Sequence, residues 1–513
     1  MSRVVVTAAG GVRGREPVDG VVAFRGIPYA APPVGPLRLQ PPAPVTPWSG
    51  VRDARQPSPV APQERSSSTG WTPASGDDYL TLDVFAPADF PRAAPVLVWI
   101  HGGSWTSGAG SLPMYEPRAW VRRGLVVVSI NYRLGFEGFG AVEGAVDNRG
   151  LRDQVAALRW VAENVAAFGG DPARVTVAGE SAGAGSVAAL LCAPSARGLF
   201  SRAIAQSIPG ETFTVGHARA IGARVARAAR VPATLAGFAG LAPVRLLEAT
   251  RSVVAEFHAD PSSGMRSIVD TLFNPVVDGD FLPVVPFEGP GAGGDPSVAL
   301  LVNHNSDEWN LFSGGRLAER PRGTADLPRW ARAGRLDDAQ FARFAATLPG
   351  AGPLRLTDAL LTDSVFAEPS RRFARAHADA GGSTHRSLFT WRSPALAGRL
   401  GAAHAVDLPF VFGNPQGLEL LLHAVPVLPL LRRVPGLGPR VPGVWPTPAS
   451  AALSRRMVDA WVAFATTGEP GWPALAPDAT PVKVWGSADD LVEEGPDPRR
   501  DLWREVRFAA TGG

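Results

Sequence analysis

The chain has 513 residues, 45% of them hydrophobic, so it is long enough to bury a large core. Its net charge is only +3, and its many arginines are scattered along the chain with Lys483 as the sole lysine. A nucleic-acid-binding protein is expected to concentrate such charge in one patch. One cysteine, Cys192, excludes an internal disulfide and lies in an apolar stretch typical of a buried, inert thiol.

No segment of the sequence reads as a signal peptide or a membrane span. The N-terminal apolar stretch is too short for a signal peptide. The longest apolar region, residues 417–431, is interrupted by Pro426, Pro429 and Glu419, which argues against a membrane span. We therefore expect a cytoplasmic protein, with a monomer as the expected state.

Short apolar segments alternate with helix-like segments along most of the chain. Predicted strands are 96–100, 125–130, 175–177, 298–302 and 387–391. Predicted helices are 151–164, the segment after Ser181, much of 215–260, 329–348, 367–379 and 454–465. This alternation is typical of a mostly parallel sheet covered by helices. No break in composition marks a boundary, so a single domain over residues 1–513 is expected.

A Gly-x-Ser-x-Gly sequence at residues 179–183 follows the strand 175–177 and precedes a helix. In this order the motif is typical of a nucleophile elbow, where a sharp turn holds a serine out at the carboxyl edge of a sheet. Small residues are needed beside the serine because side chains there would collide with neighbouring backbone. The prediction is that Ser181 is a nucleophile.

A serine nucleophile needs a base, an acid that orients the base, and donors for the oxyanion. In folds built around this elbow the chain order is serine, acid, histidine. Four histidines lie well beyond Ser181 with an acidic candidate between: His377, His385, His404 and His423. His404 is the predicted base, because it falls in a loop of small residues after the last convincing strand.

The acid and the oxyanion donors are also predicted from strand ends. The strand 298–302 is followed by Asp307 and Glu308, and spacing alone does not choose between them. The strand ending at residue 100 runs into Gly102 and Gly103, whose bare backbone could approach a ligand. The backbone N–H of Ala182 is a further candidate donor.

Motifs throughout the chain are similar to those of the type-B carboxylesterases, the esterase and lipase family that includes the cholinesterases. The matching segments are 24–42, 77–87, 96–105, 126–139, 147–187, 198–207, 273–283, 305–309, 404–413 and 461–473. The resemblance implies an α/β-hydrolase fold with large helical and loop insertions around an active-site gorge. It also implies cleavage of small or aromatic carboxylic esters without metal or cofactor.

The resemblance assigns the roles that spacing left open. It makes Glu308 the acid, so that Ser181, Glu308 and His404 form the catalytic triad. It assigns Gly103, Ser104 and Ala182 to the oxyanion hole.

Three positions depart from the family pattern. The cysteines that close a disulfide loop in many relatives are missing around residues 61–63 and 78–80, which predicts a more mobile 61–79 segment. Trp309 stands where the family has a glycine after the acid, and Ile208 replaces the glycine of a Gln-Ser-Gly sequence. Both changes place bulk near the predicted site and bear on the shape of its pocket.

Two other functions are compatible with this fold. A catalytically inactive interaction protein would have lost the serine or the histidine, yet Ser181 and His404 are both present. An interfacial lipase would use mobile lids, and residues 58–76 and 415–431 are candidates because exposed apolar segments mark such surfaces. Against the lipase, the same segments are better explained as the lining of a gorge, which is the interpretation we favour.

Overall fold

The computed structural model describes residues 3–64, 70–269, 271–289, 291–314, 321, 323–394, 398–414, 417, 447–487 and 490–512. The strands are β1 (Val4–Thr7), β2 (Gly10–Arg13), β3 (Val21–Pro28), β4 (Val51–Asp53), β5 (Thr81–Pro87), β6 (Ala94–Ile100), β7 (Val126–Ile130), β8 (Gly170–Glu180), β9 (Arg202–Gln206), β10 (Phe213–Thr214), β11 (Val276–Val277), β12 (Ala299–Asn305), β13 (Thr384–Phe389), β14 (Pro481–Trp485) and β15 (Asp490–Glu493).

The helices are α1 (Arg118–Val121), α2 (Gly135–Phe139), α3 (Arg149–Asn164), α4 (Ala182–Cys192), α5 (Val215–Ala229), α6 (Leu235–Ala239), α7 (Pro243–Ala259), α8 (Asn310–Gly314), α9 (Leu327–Ala333), α10 (Asp338–Ala346), α11 (Pro353–Leu361), α12 (Glu368–Asp379), α13 (Leu408–Val411), α14 (Pro448–Thr467) and α15 (Pro498–Trp503). A π-helix, Thr362–Ala367, joins α11 to α12.

Ten strands form the central sheet, in the order β15-β14-β13-β12-β9-β8-β6-β7-β5-β3. The seven strands from β14 to β7 run parallel, and antiparallel strands flank them at both edges. Because parallel strands end at the same edge, the loops that follow β6, β8, β12 and β13 meet at one side of the sheet. The predicted α/β-hydrolase sheet is therefore present.

The sheet is buried on both faces, which explains its nearly continuous apolar strands. Along β6, Val98 belongs to one hydrophobic core and Trp99, the next residue, to the other. Helices α3 and α4 pack on one face and α14 packs on the other. Cys192, the last residue of α4, is buried in the first core, and burial raises the pKa of its thiol to about 12.

Two predicted strand boundaries were wrong. Strand β12 extends to Asn305, so His304 and Asn305 lie inside it rather than after it, because they pair with Leu388 and Phe389 of β13. Strand β13 begins at Thr384, which places His385 within the strand. The Asn305 side-chain amide donates to the Ala403 carbonyl at 2.8 Å, which ties the end of β12 to the loop before His404.

Two helical insertions interrupt the sheet. The first, residues 207–298 between β9 and β12, contains α5 to α7, and the second, residues 306–383 between β12 and β13, contains α8 to α12 and the π-helix. Both leave the sheet at the edge where the parallel strands end. They supply much of the wall of a cavity above that edge.

Candidate active site

Ser181 lies in the turn between β8 and α4, in a strained backbone conformation. Its φ and ψ angles are 57° and −125°, a region that non-glycine residues rarely occupy and that is typical of a nucleophile elbow. A Cβ on Gly179 would lie 2.5 Å from the carbonyl carbon of Gly183, and one on Gly183 would lie 2.1 Å from the Ile100 oxygen. Glycine is therefore required on both sides of Ser181.

The imidazole of His404 is held by Glu308. Nδ1 of His404 lies 2.7 Å from Oε2 of Glu308, and the His404 backbone N–H donates to the Glu308 carbonyl at 3.1 Å. The other carboxylate oxygen, Oε1, accepts from the Ser207 hydroxyl at 2.6 Å and from the Asn305 N–H at 2.7 Å. The glutamate is fully buried, and its oxygens are directed by three donors.

Asp307, the alternative acid, points elsewhere. Its carboxylate lies 2.9 Å from the Arg392 guanidinium and accepts the Ala402 N–H at 3.1 Å. Asp307 thus fixes the loop that leads to His404 without reaching the imidazole. Of the two neighbours that spacing could not separate, the structure brings Glu308 to His404.

A buried carboxylate links the loops that carry Ser181, Glu308 and His404. Asp407 accepts the side-chain amides of Gln206 at 2.7 Å, Asn303 at 3.0 Å and Asn305 at 3.1 Å. The Gln206 carbonyl in turn accepts the Ser181 N–H at 2.9 Å. Sequence reasoning gave no role to Asp407 or Ser207, because their partners are about 100 residues or more away along the chain.

Glu180, which precedes the nucleophile, also faces the histidine. Its Oε1 lies 3.1 Å from Nε2 of His404. Burial raises the pKa of the Glu180 carboxyl to about 8. Burial alone would lower the pKa of His404, but the nearby Glu180 and Glu308 outweigh it and raise that pKa to about 9. Only the form with a neutral His404 can accept a proton, so the raised pKa of His404 limits the fraction of active base near neutral pH.

The loop after β6 passes close to the nucleophile. A Cβ on Gly102 would lie 3.1 Å from Cβ of Ser181, and one on Gly103 would lie 2.2 Å from the Ser107 oxygen. Among the described residues the backbone N–H groups of Gly103 and Ser104 donate no hydrogen bond. The N–H of Ala182, at the first position of α4, is one of the groups that a helix leaves without an internal partner.

Gln63 braces this loop from the segment that lacks the family's cysteines. Its side chain is fully buried, accepts the Gly108 N–H at 2.9 Å and donates to the Gly108 carbonyl at 3.0 Å. The predicted mobility of residues 61–79 stays a prediction. Of the proposed lids, residues 58–64 and 70–76 do not line the cavity, and 415–431 falls outside the described residues except for Gly417.

The site opens into a cavity of about 740 Å³, lined by Ser181, His404 and the glycine loop. Aromatic rings cover the imidazole: Phe366 lies 4.4 Å and Phe312 5.3 Å from the His404 ring, centroid to centroid. The Trp309 ring lies 4.7 Å from the Phe312 ring, tilted by 31°, and is itself buried in the cavity wall. The predicted effect of Trp309 on the pocket is therefore compatible with its position.

The described part of the chain contains no cluster of three or more His, Cys, Asp or Glu side chains placed to bind a metal ion. In that same part, no helix combines the length and the apolar character that crossing a bilayer requires.

Comparison with known proteins points to the carboxylesterases both in sequence and in structure. A family model described as the carboxylesterase family matches residues 1–333. The para-nitrobenzyl esterase of Bacillus subtilis (strain 168) is 33% identical over 99% of both chains, and the phenmedipham hydrolase of Pseudarthrobacter oxydans is 35% identical over 95% of this chain and 94% of its own. A solved PNB esterase structure superposes with a TM-score of 0.83 at 32% identity, covering 99% of this chain and 100% of the other.

Proposed function

Because this chain belongs to the carboxylesterase family and is a serine hydrolase of carboxylic esters, we propose that Ser181, Glu308 and His404 are its catalytic triad. The observation that carries the proposal is the 2.7 Å contact between Glu308 Oε2 and His404 Nδ1 in the cavity that Ser181 lines. A carboxylate on Nδ1 fixes the tautomer that leaves Nε2 free to accept a proton.

In the proposed reaction, the Ser181 hydroxyl attacks the ester carbonyl while His404 takes its proton. The tetrahedral oxyanion accepts hydrogen bonds from the backbone N–H groups of Gly103, Ser104 and Ala182. His404 then protonates the leaving alcohol, and an acyl-enzyme remains on Ser181. His404 next activates a water molecule, which releases the acid and restores the serine.

Small and aromatic esters are the substrates we propose. The aromatic rings of Phe312, Phe366 and Trp309 line the cavity beside the catalytic histidine and offer flat apolar surfaces to such groups. A single-domain, cytoplasmic monomer stays a prediction.

Replacement of the nucleophile tests the proposal. Ser181→Ala is expected to lower kcat for p-nitrophenyl acetate by roughly 10⁴-fold or more with the fold intact, since the oxyanion donors alone cannot form an acyl-enzyme. Ser262→Ala, a change at an exposed serine that lines the same cavity, serves as the control and should keep full activity. Fluorophosphonate labelling of residue 181, read by peptide mass spectrometry, gives a second readout. Labelling of another serine would overturn the assignment.

A further inference from the structure

One part of the cavity wall is charged. Arg266 lies in the short helical segment Pro261–Ser267, Arg335 follows α9, and Glu211 precedes β10. All three line the cavity that contains Ser181 and His404. We refer to Glu211, Arg266 and Arg335 as the charged wall.

Within the charged wall, Glu211 forms an ion pair with Arg266. Nη2 of Arg266 lies 2.5 Å from Oε1 of Glu211, which also accepts the Thr511 hydroxyl at 3.1 Å. Although burial opposes ionisation, Arg266 holds the pKa of Glu211 below its usual value, so the carboxylate stays charged. Arg266 is 4% exposed, and its Nε and Nη1 have no hydrogen-bond partner among the described residues. Two donors on a buried cation therefore remain unused.

Arg335 has no carboxylate within 4.0 Å in the described part of the chain. Its one hydrogen bond goes to the Gly210 carbonyl at 3.2 Å, and its guanidinium lies 5.1 Å above the Phe508 ring. Glu288, the next acid, forms an ion pair with Arg372 at 3.3 Å and accepts a hydrogen bond from the Phe508 N–H. The charged wall therefore carries two cations and one anion.

The backbone at Arg335 is strained. Its φ angle is +69°, in the left-handed region where glycine is favoured and most other residues are destabilised. Strain of this kind persists where the surrounding structure and the function of the side chain maintain it. Arg335 directly follows the C-cap of α9, Gly334, and has the left-handed conformation in which many helices end.

The remaining titratable groups of the described cavity lining do not neutralise this charge. Glu180 faces His404 at 3.1 Å and belongs to the catalytic group. Burial and the charge of Arg266 lower the pKa of His217, so this histidine is neutral. An excess of one positive charge thus remains in a cavity that is otherwise largely apolar.

We propose that the charged wall binds a carboxylate carried by the ester substrate at a distance from the bond that is cleaved. The guanidinium of Arg335 can donate to the two oxygens of a carboxylate, and the buried positive charge of Arg266 in the same wall adds to the attraction. The inference rests on the proposed function of the cavity and narrows its substrates to esters with an anionic arm. That arm could belong to the acyl group or to the alcohol.

Two matched pairs of esters test the proposal, one with the carboxylate on the acyl group and one with the carboxylate on the alcohol. The acyl pair is the p-nitrophenyl monoester of adipic acid against p-nitrophenyl heptanoate, and the alcohol pair is 4-butyryloxybenzoate against 4-methylphenyl butyrate. In at least one pair kcat/KM is expected to favour the charged ester. Arg335→Leu should reduce that ratio of charged to neutral ester by roughly 10- to 100-fold, because a charge-assisted bond is lost, with little change for the neutral ester.

Arg332→Leu is the control, because Arg332 lies on α9 three residues away and its side chain is 64% exposed. It should leave the ratio unchanged. Inhibition of p-nitrophenyl acetate hydrolysis by adipate, compared with adipamide, tests the unaltered enzyme without a variant, and adipate is expected to inhibit more strongly.

The outcomes separate the two proposals. Equal kcat/KM within both pairs, or a ratio that survives Arg335→Leu in a folded variant, would overturn the carboxylate site while leaving the esterase intact. Hydrolysis of none of the four esters by the unaltered enzyme would instead contradict the proposed function.

Discussion

The proposed catalytic residues and the charged wall share one cavity, but the molecule holds them by different means. Ser181, Glu308 and His404 follow strands of the parallel sheet and are fixed by hydrogen bonds between loops, several of them through Asp407. The charged wall comes from the two helical insertions and is held by ring contacts and one ion pair. The residues held by the sheet determine the proposed reaction. The charged wall can differ between substrates without altering the positions of those residues.

The sharpest test of the sheet-held region compares two neighbouring acids. Glu308→Gln should lower kcat by roughly 10⁴-fold, because an amide no longer fixes the productive tautomer of His404. Asp307→Asn is the matched change one residue away, and it should cost stability through Arg392 while keeping most of the activity. Steady-state kinetics with melting curves measure both. Similar kcat losses in the two variants would contradict the distinction drawn between them.

The pH profile tests the contact between Glu180 and His404. Glu180 and Glu308 both raise the pKa of His404. As the imidazole loses its proton, kcat/KM should therefore rise with pH, and this rising limb should lie at higher pH than for an ordinary histidine. Glu180→Gln removes one negative charge, so the limb should move to lower pH. Each unit of movement is worth roughly tenfold in relative activity at acidic pH.

The control for this profile is Glu137→Gln, a change at a buried glutamate paired with Arg38 far from the cavity lining. It should lower the melting temperature without moving the limb. A limb that stays in place in Glu180→Gln would show that the 3.1 Å contact has no electrostatic effect on the base.

A substitution at Trp309 tests the part of the cavity wall that the helical insertions supply. Trp309→Leu should raise kcat/KM for bulky esters relative to p-nitrophenyl acetate by roughly 3- to 10-fold, because the indole occupies part of the cavity wall. Trp330→Leu removes an equally buried indole from α9 that does not line the cavity. It should destabilise the protein and leave the ratio unchanged. Equal losses for acetate and bulky esters in Trp309→Leu would mark this tryptophan as support for Glu308.

The smallest effect is expected at Gln63. Gln63→Leu leaves the Gly108 N–H and carbonyl without their partners, at a cost of about 1–3 kcal/mol in the free energy of unfolding. A modest fall in kcat should accompany it, since Gly108 belongs to the loop of the oxyanion donors. Gln56→Leu, at an exposed glutamine, should change neither quantity. Unchanged denaturant midpoints in both variants would exclude Gln63 as a brace.

The sequence predicts best what depends on local pattern. The segments 96–100 and 175–177 predicted parallel strands that β6 and β8 contain, and the predicted segment 125–130 begins one residue before β7. The short strands β14 and β15 at one end of the sheet were missed, because four or five residues carry too little periodicity to stand out.

Long-range contacts explain what the sequence could not predict about the site. Asp307 and Glu308 are equivalent in spacing, and only the partners around them separate the two. Arg266 and Arg335 are 69 residues apart on different helical insertions, and no pattern along the chain connects them. Their shared cavity is a property of the packing alone.

The burial of Cys192 at the end of α4 has a practical consequence for experiments in solution. Since thiolate is the reactive form and this thiol has a pKa of about 12, maleimide and iodoacetamide should modify the folded protein very slowly. The natural chain is thus close to a cysteine-free background. A single cysteine introduced at the cavity rim would accept a fluorophore or spin label at one defined position.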